Sequence, residues 1–133
     1  AMGSYVAHET IKLMIQKDAK VKNGNVLVLG ITFKENCPDI RNSKVIDVIS
    51  ELKKFNLNVD VYDPWANVSE VQKEFNISLL SKTKQLKDNY DAIILTVAHK
   101  EFNTFEIEKF TAEKSVVFDV KSFFPKEKTD GRL

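Results

Sequence analysis

A loop at residues 30–41 gathers most of the groups in this chain that could do chemistry. Gly30 ends an apolar run and is followed by Thr32, Phe33, Lys34, Glu35, Asn36, Asp39 and Arg41. Lys34 and Arg41 are its positive charges. Backbone N–H groups near Gly30 and at the start of a following helix add partial positive charge. Together they suit a phosphate or diphosphate. Lys121, at the end of a later apolar run, is placed to converge on the same point, and Phe33 to stack on a base. The plainer reading stands close beside this one, since a loop lysine or arginine is usually solvated and a phenylalanine beside a strand is usually core.

Other chemistries find less support. The loop has one glycine, so neither a GxGxxG turn nor a P-loop is present. Cys37 has no base beside it and is followed by Pro38, which reads as a structural or exposed thiol rather than a nucleophile. His8 and His99 are too few and too isolated for a metal site. His99 lies just past an apolar run, where a binding role is open but not favoured. Trp65 reads as packing a corner.

The elements that must position these groups alternate strand and helix. Apolar spacing at Ala7, Ile11, Met14 and Ile15 predicts a helix over 5–20. Residues 26–29 (VLVL) read as a strand buried on both faces. Asn42 or Ser43 would cap a helix whose inner face is Val45, Val48, Ile49, Leu52 and Phe55, closed by Asn56. A strand at 58–62 ends in Asp63-Pro64, a turn signal. Asn67 with Glu70 marks a capping box, opening a helix with Val68, Val71 and Phe75 inward. Residues 77–80 suggest a short strand, 92–97 a strong buried one, 103–110 a capped helix, and 115–120 a last strand. The polar tail at 126–133 reads as loose. The pattern predicts an α/β protein: a three-layer α/β/α sandwich with a mainly parallel, Rossmann-like sheet, preceded by the end of a long helix. Ligands of such sheets bind at the carboxyl ends of the strands.

The chain has 133 residues, one domain's worth, and a formal net charge of +1. That balance argues against a general nucleic-acid binder. No apolar run is long enough to span a membrane. One cysteine allows no internal disulfide, so a reducing, cytoplasmic setting is expected. Residues 1–4 (AMGS) read as a cloning remnant.

At LGITFKENCPDIRNSK (29–44), VYDPWA (61–66), ILTVAHKEF (94–102) and VVFDVKSFF (116–124), the chain resembles the C-terminal domain of the UDP-sugar 6-dehydrogenases. These enzymes oxidise UDP-glucose or UDP-N-acetylhexosamines to uronic acids. The resemblance covers nearly the whole chain, and its G-x-[TA]-F-K-x-x-x-x-D-x-R core is specific. The stretch ENCPDIRNSK is closer to the N-acetylhexosamine branch.

The resemblance implies that residues 5–22 are the helix leading from a central dimerisation segment and that 23–133 bind the UDP-sugar. Phe33 and Lys34 match positions that contact the UDP-sugar, Lys121 a basic position near it, and Arg41 an arginine that reaches NAD. It further implies partner N-terminal and central domains, a homodimer, and a role in polysaccharide precursor synthesis. The catalytic cysteine and the dinucleotide turn would lie in the N-terminal half, leaving this fragment inactive. Two rivals remain beside it. A phosphoacceptor signalling domain would use Thr96 and Lys121 but needs carboxylates where Gly30-Ile31-Thr32-Phe33 stands. A standalone interaction domain would keep the fold without catalysis.

Overall fold

The apolar run at 26–29 becomes the centre of the sheet. In the computed structural model, which describes residues 2–133, Val26, Leu27, Val28 and Leu29 are fully buried in strand β1 (Asn25–Leu29). The other strands are β2 (Asn58–Tyr62), β3 (Tyr90–Leu95), β4 (Thr111–Asp119) and β5 (Gly131–Arg132). All pair in parallel, in the order β2-β1-β3-β4-β5. Val28 faces Val61 on one side and Ile94 on the other. Because the chain leaves β1 first toward β2 and later returns on the other side to β3, the strand order reverses at β1. That reversal opens a crevice at the carboxyl ends of β1 and β3.

Alternation of side chains across the strands separates two cores. Val26, Val28, Val61, Ile94, Val116 and Phe118 face helices α1 (Met2–Gln16), α2 (Val45–Lys53) and α3 (Val68–Phe75). Leu27, Leu29, Ile93, Leu95 and Val117 face Phe102, Ile107 and Phe124 on the opposite side. The expected three layers are therefore present. The third is built from short 3-10 turns, Lys100–Thr104, Ile107–Lys109 and Lys126–Lys128, and loops.

Several expectations need correction. The helix expected at 103–110 is two 3-10 turns, because Phe105 is extended between them (φ −69°, ψ 122°) and stacks on Phe110 at 4.9 Å. The tail is not loose. Gly131 and Arg132 pair with Phe118 and Asp119, and the Arg132 guanidinium donates to the Phe124 carbonyl at 2.8 Å. Residues 77–80 form a single bridge, Leu80 to Tyr62. Helix α1 ends at Gln16 and includes residues 2–4, with Gly3 buried where a Cβ would lie 2.5 Å from that of Asp47. Phe55 falls beyond α2 and is exposed, its ring edge-on to His8, and Val68 in the first turn of α3 is also exposed. Asn67 caps α3 as expected, its side-chain oxygen accepting from the Glu70 N–H. Ser43 only half caps α2: its hydroxyl donates to the Ile31 carbonyl at 2.6 Å and accepts from the Val45 N–H at 3.3 Å.

Candidate functional site

The loop after β1 begins with a backbone turn that only glycine serves well. Gly30 has φ 102°, and a Cβ there would lie 2.5 Å from Val97 Cβ. The chain then runs past two other strand ends. Thr96 and Val97 leave β3 because both N–H groups donate to the Leu29 carbonyl, at 3.0 and 3.3 Å. The Thr96 hydroxyl lies 2.9 Å from that carbonyl and 2.7 Å from that of Gly30. Thr96 is thus buried, with its hydroxyl bonded inward to the end of β1.

Asp63, just past β2, holds the loop from beneath. Fully buried, its Oδ2 accepts from the N–H groups of Ile31 (2.7 Å) and Thr32 (3.2 Å), and its Oδ1 from those of Trp65 (2.7 Å) and Ala66 (3.1 Å). His99 Nε2 lies 2.9 Å from Oδ2. Burial alone would push this carboxyl up, but the bonds from His99 and the backbone outweigh it and hold the pKa below its ordinary value. Phe33 N–H donates to the Asp39 carbonyl at 2.7 Å, closing residues 33–39 into a compact turn.

The sequence-nominated residues separate in space. Phe33, 53 % exposed, and Lys121 line one cleft of about 210 Å³ with Thr32, Asn42, Lys44 and Val97. This cleft sits at the carboxyl ends of β1, β3 and β4. Lys121 is set there by Asp119, which is buried and accepts from the N–H groups of Lys121, Phe123 and Phe124. Lys34 stands on the exposed turn beside it. Arg41 instead lines a wider groove with Asp47, Glu70 and Phe75. Its guanidinium is 85 % exposed and chelated by Asp39, with Nε to Oδ1 and Nη2 to Oδ2 both at 3.0 Å. That hydrogen-bonded pairing lowers the Asp39 pKa and raises that of Arg41.

Lys34, Lys44 and Lys121 form no ion pair with any described residue. Lys44 and Lys121 line the cleft, and Lys34 follows cleft-lining Phe33 in the chain, so two unpaired lysines face this cleft with a third on the adjoining turn. Lys44 was missed from sequence, as were the supporting roles of Asp63 and His99. The Asp-Pro pair after a strand was the available signal, because such an aspartate accepts from the N–H groups two and three residues on. Cys37 is half-buried with no described base bonded to it. Among the described residues no group of acidic, histidine or cysteine side chains is arranged to hold a metal, and no helix is long and apolar enough to cross a membrane.

Residues 27–126 match the model of the UDP-glucose/GDP-mannose dehydrogenase family, UDP binding domain. The chain belongs to that family. It is 45 % identical over 135 residues to the UDP-N-acetyl-D-glucosamine 6-dehydrogenase of Salmonella typhi, covering 99 % of this chain and 31 % of that protein. To the enzyme of the same name from Pseudomonas aeruginosa it is 39 % identical, covering 99 % and 32 %. The chain thus spans about a third of the length of the curated relatives it matches. A UDP-D-ManNAc dehydrogenase from Pyrococcus horikoshii shares the fold with a TM-score of 0.78 at 18 % identity, over 98 % of this chain and 30 % of that one. The family's UDP binding domain thus extends over all three strand ends that frame the cleft.

Proposed function

We propose that residues 23–133 bind the nucleotide end of a UDP-sugar in the Phe33–Lys121 cleft. On this reading the whole protein is an NAD-dependent 6-dehydrogenase of UDP-N-acetylhexosamines or UDP-glucose. The observation that carries it is the match to a UDP binding domain over a switch-point cleft lined by Phe33 and the unpaired Lys44 and Lys121. Lys34, Lys44 and Lys121 would neutralise the diphosphate, each by charge-assisted hydrogen bonds. Phe33 would stack on the uracil. Binding energy from this remote handle would orient the sugar's C6 for chemistry elsewhere in the protein.

NAD would accept the hydride. This chain has no glycine-rich cradle for it, and Arg41 fits only as an accessory contact. With one edge engaged by Asp39 and most of its surface in solvent, its guanidinium is free to reach an anion held by another domain. The remaining parts of the reading follow the family: residues 5–22 as the helix from a central dimerisation segment, N-terminal and central domains as partners, a homodimer, a cytoplasmic location, and polysaccharide precursor synthesis. Exposed Tyr5 and Ile15 on α1 suit a helix with neighbours outside this chain. A phosphoacceptor domain is disfavoured by Gly30-Ile31-Thr32-Phe33 standing where its carboxylates are needed, and a standalone interaction domain by the run of dehydrogenases among the relatives.

An amide-resolved NMR titration with UDP, and NAD as control, tests the binding site. UDP should shift the amides of Phe33, Lys34, Lys44 and Lys121. Shifts with NAD alone, or none with UDP, would overturn the assignment.

A further inference from the structure

We propose that His99 is a positioning residue of the nucleotide site: it sets the turn at residues 32–36 and so the points from which Phe33 and Lys34 act. This rests on the nucleotide reading of that loop. His99 has no exposed surface, yet both its ring nitrogens are spent on polar partners. The Asn36 N–H donates to Nδ1 at 3.0 Å. An N–H group has only a proton to give, so Nδ1 accepts and the ring proton sits on Nε2. That proton is shared between Asp63 Oδ2 at 2.9 Å and Thr32 Oγ1 at 3.1 Å. The Thr32 hydroxyl in turn donates to the Lys34 carbonyl at 2.9 Å.

One imidazole therefore grips the turn at both ends. Asn36, the residue it anchors, sits in the left-handed region (φ 54°), which asparagine tolerates better than most residues and which turns its N–H toward the ring. The Asn36 side-chain oxygen accepts from the Lys100 N–H at 2.8 Å, tying the turn a second time to the segment that carries His99. Trp65 stacks on the ring at 6.1 Å and Phe102 packs beside it at 5.5 Å, which fixes its orientation. Lys34 and Phe33 themselves have no side-chain hydrogen bond to a described residue. Their placement depends on the backbone that His99 holds.

Two substitutions divide the ring's two functions. In His99→Gln the amide nitrogen reaches the place of Nε2 and donates to Asp63, while Asn36 loses its acceptor. In His99→Asn the amide oxygen takes the place of Nδ1 and keeps Asn36, while buried Asp63 and the Thr32 hydroxyl lose the Nε2–H donor and Thr32 stays held by its own N–H to Asp63. The positioning role predicts opposite rankings. His99→Gln should weaken UDP binding by the 133-residue chain about tenfold or more, the cost of a misplaced charge-assisted contact. It should also speed amide exchange at residues 32–36, and adding Lys34→Ala should then cost little further affinity. His99→Asn should show the larger drop in thermal midpoint but hold UDP affinity to within about threefold. If UDP affinity instead tracked thermal midpoint across the two variants, or the His99→Gln and Lys34→Ala losses simply added, His99 would be a packing residue only. Should His99→Asn fail to fold, the exchange rates and the double variant built on His99→Gln decide the matter. An unsubstituted chain that does not bind UDP would overturn the nucleotide reading, while exchange at 32–36 in the ligand-free chain would still decide whether His99 holds the turn.

Discussion

At the scale of single residues, the site divides into groups that meet solvent and groups that hold them there. Lys34 belongs to the first kind. Lys34→Ala should leave the thermal midpoint within experimental scatter and weaken UDP binding by roughly 1.5–3 kcal/mol, since an exposed unpaired ammonium contributes to the ligand rather than to the fold. Titration calorimetry showing unchanged affinity would remove Lys34 from the site. Asp63 belongs to the second kind, and its effect should depend on pH. Its folded pKa lies below the ordinary 3.8, so its contribution to stability is complete above that value and fades as the pH falls through the folded one. Asp63→Asn should cost about 2–4 kcal/mol at neutral pH, because the buried N–H groups and His99 lose their charged acceptor. The gap to the unsubstituted protein, read from urea unfolding, should stay level from neutral pH down to about 5 and narrow below about 4. A gap that does not change with pH would mean that the carboxylate charge is not what holds these strand ends together.

At the scale of elements, what was legible in the sequence was what local pattern dictates. The apolar run at 26–29 and the one expected over 92–97 became buried strands, the second running from Tyr90 to Leu95, the Asn67–Glu70 pair capped a helix, and the polar loop after Gly30 came to border the Phe33–Lys121 cleft. What was not legible rests on contacts between distant positions. Nothing near Gly131 and Arg132 announces a strand, since that strand is held by distant partners: backbone pairing to β4, Asp130 accepting from the Val117 N–H, and the Arg132 guanidinium donating to the Phe124 carbonyl. Phe105, Ile107 and Phe110 were expected on one helix but pack from separate turns, Ile107 buried and the two phenylalanines partly so. The cleft shows the same division: Phe33 and Lys121 were named from the sequence, whereas Lys44 needed the fold to bring the start of α2 beside the end of β4. Gly30 joins the two levels, because it ends a legible strand and permits a close approach that only the structure displays. Gly30→Ala should destabilise by roughly 2 kcal/mol or more, as a Cβ at positive φ meets Val97 and forces β1 and β3 apart at the site. Urea unfolding measures the loss, and a change below about 0.5 kcal/mol would show that the approach relaxes freely.

At the scale of the whole molecule, the question is whether α1 is a connector or part of the domain. Its position makes it part. Val6, Ala7, Ile11 and Met14 are buried in the core shared with α2 and the sheet, and Gly3 touches α2 so closely that no side chain fits between them. Met2, Gly3 and Val6 also form one wall of the cleft that holds Phe33 and Lys121. Burying Val6, Ile11 and Met14 is worth roughly 5–9 kcal/mol at about 1.5–3 kcal/mol each. That is comparable to the roughly 5–15 kcal/mol by which a domain of this kind is stable at all. Deleting residues 1–20 should therefore abolish cooperative unfolding, collapse amide dispersion in the NMR spectrum and remove UDP binding with it. A shortened chain that unfolds with an unchanged midpoint would show that α1 lies on the domain without supporting it. The helix would then be only the link to the rest of the protein, and the cleft would have to stand on the sheet, α2 and the loops alone.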